Sequence, residues 1–201
     1  MDAAARESSV SAPSTVMALS SSVFTFEIDL ADADRGVYDH LDLRVARHPS
    51  ESDAFLVARV LAYCLELTDG IAFSRGLSDA DDPPIAVRDL TGALQAWIDV
   101  GTPSAERLHR ASKASPRVAV YMHKEHAQWL ASLEGAKIHR AADLDLRAID
   151  RALIAGLAAA LERRMSFALS VAEGELFVSL GDRTISGKVE RLRPFHSPRG
   201  E

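Results

Sequence analysis

Cysteine is nearly absent from these 201 residues: Cys64 is the single thiol. No internal disulfide can therefore staple the fold. Cys64 falls at an apolar position of helical spacing, where a thiol behaves as a small hydrophobe, and this usage suits a reducing cytoplasm. Long apolar runs are missing too. The longest, Ala152 to Leu161, is bracketed by Arg151 and Glu162 and is well short of the roughly 20 residues that cross a bilayer, so no membrane segment is expected. The opening stretch, residues 1–16, carries Arg6 and Glu7 among Ala, Ser and Pro without an apolar h-region. It is expected to be a disordered leader rather than a secretory signal, with Met17 standing as an alternative start. Basic residues are in deficit, 23 against 29 acidic, for a net charge of −6. That sign argues against a protein that coats nucleic acid through phosphate contacts, and leaves room only for a local nucleic-acid site. Neither Gly-x-Gly-x-x-Gly nor a Gly-Lys-Ser/Thr loop nor Gly-x-Ser-x-Gly occurs, which removes the usual nucleotide-binding loops and the hydrolase elbow.

Hydrophobic residues at 47% and charged residues at 26% fit one ordinary globular core. A single domain is expected over residues 17–194, with a loose tail at 195–201. Val23 to Leu30 and Val37 to Val45 alternate as two strands of an N-terminal hairpin around Ala31 to Gly36. A helix is expected from about residue 50, where Pro49 and an acidic first turn favour a start, to a stop at Gly70. Residues 71–84 read as irregular connection. Leu94 to Val100 reads as a strand ending at Gly101, and residues 103–114 as a helix after Thr102. Arg117 to Met122, short and continuously apolar, reads as a buried parallel strand. Further expectations are a helix over 126–133, a strand near 137–140, a long helix over 144–164, and antiparallel strands to Leu192 turning at Gly174 and Gly181. The sum is an α/β fold with a central mixed sheet flanked by helices.

Asp89 sits at the edge of one extended segment and Asp99 near the end of the following strand, an arrangement that can converge two carboxylates on a hard cation such as Mg²⁺. Asp89 also reads as a turn residue ahead of Gly92, and a salt bridge would satisfy Asp99 as economically as a metal. His123 and His126 lie close in sequence but lack a third ligand at recognisable spacing, which favours solvated or capping roles over zinc. Ser74-Arg75-Gly76 could offer a guanidinium and backbone N–H groups to a phosphate, or could be a turn. Trp97 and Tyr121 suit core packing, with a Tyr121 hydroxyl aimed at the acids as the functional reading.

In series, His48-Pro-Ser-Glu51, Ser74-Arg-Gly-Leu77, Asp89-Leu-Thr-Gly92, Trp97-Ile-Asp-Val-Gly101, the helix from Pro103 to Ala111 and Val118-Ala-Val-Tyr121 resemble the YaeQ family over most of the chain. The resemblance implies a restriction endonuclease-like fold with a variant PD-(D/E)XK signature. It implies Glu51, Asp89 and Asp99 around Mg²⁺ or Mn²⁺, a basic group from Arg110 or Lys113 near phosphate in place of the lysine usual at position 101, and Arg75 and Tyr121 as substrate contacts. The function expected is a divalent-metal phosphodiesterase or nuclease; the alternative is a non-catalytic binding or interaction protein on the same scaffold.

Overall fold

The structure is a computed structural model that describes residues 22–74 and 82–193. The expected leader and tail, and Arg75, lie outside the described residues. The hairpin forms as the alternation demands: β1 (Ser22–Asp32) pairs antiparallel with β2 (Val37–Arg47), Ile28 facing Leu41 across the ladder. Helix α1 (Asp53–Leu65) starts three residues later than expected because Ser52 takes the N-cap, its hydroxyl accepting the Phe55 N–H at 3.2 Å. It also ends before Gly70. That glycine, at φ +79°, instead opens β3 (Ile71–Phe73), and a side chain there would meet the Arg88 carbonyl oxygen at 1.9 Å. Residues 71–73 are therefore strand rather than irregular connection. Strands β4 (Ile85–Arg88) and β5 (Leu94–Val100) form a hairpin, and α2 (Ala105–Ala114) crosses to β6 (Arg117–Met122), which runs parallel to β5.

After α3 (Ala127–Leu133) two expectations fail. Residues 137–140 are not strand; a short 3-10 turn follows at Ala141–Asp143. The long helix over 144–164 is β7 (Asp145–Ile149), then α4 (Arg151–Ala159), then the start of β8 (Arg164–Ala172). The cause is burial: β7 lies between β6 and β10, so Leu146, Ala148 and Ile149 are apolar on both faces and show no period of two. Asp150 then caps α4, accepting the N–H groups of Ala152 and Leu153 at 2.7 and 2.9 Å. Strands β9 (Glu175–Leu180) and β10 (Arg183–Leu192) complete the expected antiparallel set.

The ten strands of the described residues form one mixed sheet in the order β2-β1-β8-β9-β10-β7-β6-β5-β4-β3. Strand β10 is the join: Arg183 to Lys188 pair with β9, and Val189 to Leu192 with β7. Residues from both ends of that order, Val45 and Ile85 among them, share one buried cluster with Leu56 and Leu61 of α1 and Leu153 of α4. The sheet thus curls around these two helices. On the other face of β5 to β7, Trp97, Val118, Val120 and Leu146 pack with Leu108 and Ala111 of α2 and Leu133 of α3. Cys64 lies fully inside the first cluster, and burial pushes its thiol up to about 12. No helix among the described residues is long and apolar enough to cross a membrane.

Candidate functional site

Parallel strands β5 and β6 end side by side at Gly101 and His123, the position where open α/β sheets leave a crevice for ligands. A cleft of about 720 Å³ opens there. Gly101 makes the exit: at φ +91° it turns the chain out of β5 into Thr102 and Pro103, which lead to Ser104, the N-cap of α2. From the other side the cleft receives Ser52 and Phe55 from the start of α1, with Glu51 just before it. Asp99, Arg107, His123 and Lys124 complete the wall used below.

Two of the three expected acids meet here, and both arrive neutralised. Asp99 is 2% exposed. Arg107 Nε stands 3.0 Å from each of its carboxylate oxygens, Nη2 donates to Oδ1 at 2.8 Å, and Trp97 Nε1 donates to Oδ2 at 2.9 Å. The same guanidinium lies 5.2 Å over the Trp97 ring and donates to the Asp82 carbonyl at 2.9 Å. Glu51 is gripped by Arg59, itself 1% exposed, through Nε at 2.9 Å and Nη2 at 3.1 Å, while the His48 N–H donates to Oε2 at 3.2 Å. Burial raises the Glu51 carboxyl above its ordinary range against the pull of Arg59. Asp99 shares its strand face with Trp97, which packs under α2, whereas Glu51 adjoins α1 on the opposite face of the sheet. The two converge only where the strands end.

Asp89 does not join them. It is exposed in the β4–β5 turn, where Oδ1 accepts from the Thr91 N–H and hydroxyl at 2.8 and 2.6 Å and from the Ala93 N–H at 3.0 Å, and Oδ2 from Gln95 Nε2 at 2.6 Å. Those donors, Thr91 first, hold it below the usual carboxylate range. The turn reading of this residue describes its surroundings; the metal-ligand reading does not. Nor do the expected basic residues reach Asp99. Arg110 pairs with Glu106 at 3.8 Å and is exposed, as is Lys113. Arg107, one helical turn earlier, holds the acid, because only five residues separate Asp99 from the first helical residue of α2. Tyr121 also points elsewhere: it is fully buried on the α1 side, donating to Glu66 Oε1 at 2.7 Å beside Arg117, which bridges Glu66 and Asp145 at 2.6 and 2.9 Å. Burial and Glu66 push its hydroxyl well above the ordinary tyrosine range.

The residue that the sequence did not single out for the cleft is His123. It is 4% exposed, Phe55 meets its ring edge-on at 5.8 Å between centroids, and neither ring nitrogen has a hydrogen-bond partner. Burial, with Lys124 adding, lowers it to about 4, so the imidazole is neutral at neutral pH. His126 turns away, its Nδ1 3.2 Å from the Lys124 carbonyl oxygen.

Mg²⁺ and Mn²⁺ take several carboxylate, carbonyl and water oxygens in near-octahedral array. Here every carboxylate oxygen of Glu51 and Asp99 already receives a donor, and Asp89 lies outside the cleft. Among the described residues no three His, Cys, Asp or Glu side chains are grouped to hold a metal ion. The residues present do not fit such a cation.

The family model described as YaeQ protein matches residues 17–189. The chain is 27% identical over 165 residues to the proteins named "Uncharacterized protein YaeQ" of Salmonella typhi and of Escherichia coli strain K12, spanning 81% of this chain and 91% of each of those. Among solved structures it is similar to the YaeQ protein of Pseudomonas syringae, with TM-score 0.77, 29% identity, and coverage of 90% of this chain and 98% of that one. It is likewise similar to the YaeQ protein of Xanthomonas axonopodis pv. citri, with TM-score 0.80, 30% identity, and coverage of 89% and 100%.

Proposed function

Since the chain belongs to the YaeQ family, we propose that it is a non-catalytic ligand-binding protein on a restriction endonuclease-like scaffold, its ligand seated in the cleft between the ends of β5 and β6 and the starts of α1 and α2. One contrast carries the reading: the carboxylates that would have to bind metal are saturated by Arg59 and Arg107, whereas His123 in the same wall has both nitrogens unpartnered. Buried polar groups are ordinarily satisfied, so an unmet imidazole at the wall of a cleft points to a partner supplied from outside the chain. Glu51 and Asp99 act on this reading as counter-ions that fix α1 and α2 against the sheet.

The competing reading, a divalent-metal phosphodiesterase, draws on Glu51 and Asp99 lining one cleft. It requires a cation to displace two guanidinium groups from buried carboxylates, which takes from Arg59, itself 1% exposed, its counter-ion at a cost of several kcal/mol.

The test follows backbone amide signals of the full chain during titration with small molecules of defined class (neutral sugars, carboxylates, phosphates) and with single- and double-stranded oligonucleotides, beside calorimetry with MgCl₂ and MnCl₂. Binding that moves the Gly101, Thr102 and His123 amides without cleavage is the expected result, with no cation bound at millimolar concentration. Metal-dependent cutting that disappears in Asp99→Asn overturns it.

A further inference from the structure

The structure assigns the cleft to a phosphate group, inorganic or as the monoester of a small metabolite, with His123 as the neutral donor that contacts it; this rests on the ligand-binding reading above. Helix α1, of 13 residues, directs its N-terminal end at the cleft through the N-cap Ser52, and Thr102 and Pro103, which lead into the 10-residue α2, line the cleft beside it. Aligned peptide dipoles put a partial positive charge at such an end, and first-turn N–H groups lack partners within the helix, the usual setting for an oxyanion.

Among the described residues, four acids nearby cancel little of that field, because each of the four is paired with a cation. Asp53 in the first turn of α1 pairs with Arg47, Glu106 in the first turn of α2 with Arg110 at 3.8 Å, Glu51 with Arg59 at 2.9 Å and Asp99 with Arg107 at 2.8 Å. Lys124 lines the cleft and adds a positive charge, against which stands Asp82 on the same wall. The helix ends alone would not make a site. The independent observation is His123, 4% exposed in the wall with Nδ1 and Nε2 both unpartnered. A neutral imidazole donates one N–H, and an anion held beside it would also favour its protonation. Gly101 and Phe55 flank this ring at the cleft wall: a Cβ at position 101 would stand 3.8 Å from His123 Cε1 and 3.7 Å from Phe55 Cε2.

The experiment records the ring signals of His123 in ¹⁵N,¹³C-histidine-labelled full-length protein during titration with sodium phosphate and, separately, phenyl phosphate, with sodium acetate as comparator. Expected are saturable shifts at His123 with phosphate or its ester and weaker ones with acetate, and a His123 pKa that rises from about 4 by about one unit or more when the anion is bound. Preference for phenyl phosphate over inorganic phosphate identifies an ester as the ligand; the reverse identifies free phosphate. Replacing His123 by Phe is expected to weaken phosphate binding about tenfold, the weight of one hydrogen bond to a charged group. Lys124→Ala, a surface change that spares the core, is expected to weaken it by about two- to fivefold, less so in high salt. Phosphate that leaves His123 unmoved, or that binds wild type and both variants equally, overturns the inference. Shifts by sugars or carboxylates but not phosphate overturn it while the ligand-binding reading stands. A cleft that no compound perturbs removes both.

Discussion

At the scale of single residues, His123 shows how a side chain records its surroundings as a dependence on acidity. Its folded-state value of about 4 lies below the ~6.5 of an unfolded chain, so the unfolded form takes up a proton first as pH falls. The contribution is therefore complete above pH ~6.5 and is lost progressively toward pH 4, up to ~3 kcal/mol for a group so buried. Glu51, raised above its ordinary range by burial, works in the opposite direction nearer its own titration, which makes the upper part of the fall from pH ~6.5 the diagnostic interval. Urea melts of wild type and His123→Phe across that interval are expected to converge as pH falls, because the variant lacks the acid-sensitive part. Parallel curves would show that the imidazole is not held neutral. The sequence offered this residue only as half of a His123–His126 pair with solvated or capping roles. Its isolation becomes visible when Phe55 and Gly101 close around it.

At the scale of elements, the Asp99–Arg107 pair ties the end of β5 to the first turn of α2 and fixes one wall of the cleft. Arg107→Ala is expected to cost about 3–5 kcal/mol, since it strands a carboxylate that is 2% exposed. Adding Asp99→Asn is expected to recover at least ~1 kcal/mol by removing the uncompensated charge. Chemical denaturation of both single variants and the double variant measures this, and strictly additive losses would mean that the two side chains do not act as a pair. Much at this scale was readable from sequence. Alternation gave β1 and β2, the apolar run from Arg117 gave the parallel β6, and the Gly174 and Gly181 turns pointed to two or three closing strands, of which there are three. The site was half readable: Glu51 and Asp99 share a cleft, but Asp89 had two competing chemistries and its turn prevailed. The expected cations, Arg110 or Lys113, stand one helical turn or more too far from the strand end. Residues 144–164 were misread because an apolar strand between two neighbours and an apolar helix leave the same trace at that length.

Across the whole molecule, β10 belongs to two halves of the sheet. Its first residues extend the hairpin side through β9 and β8, and its last residues extend the cleft side through β7. Val189 sits at the change of partner, its N–H donating to the Gly174 carbonyl at 2.8 Å while it pairs with Ile149. Proline there removes the donor and is expected to cost about 3 kcal/mol or more. Trp97 and Trp129 both pack on the α2–α3 side, so their fluorescence follows that half alone. Fluorescence and circular dichroism are expected to shift together in Val189→Pro; a fluorescence transition left where wild type has it would show that the halves melt independently.

The same strand bears on how the chain acquires its shape during synthesis. β1 emerges early but aligns with β8, Thr25 beside Arg164, and β10 leaves the ribosome after every other strand of the sheet. The nascent hairpin must therefore wait with one edge of β1 unpaired, and the wrap around α1 closes only once the final strand is free. Such distant pairings fold slowly, so partly made chains would expose sticky strand edges to one another, and molecular chaperones would find their substrate there, before the last turn of translation rather than after it.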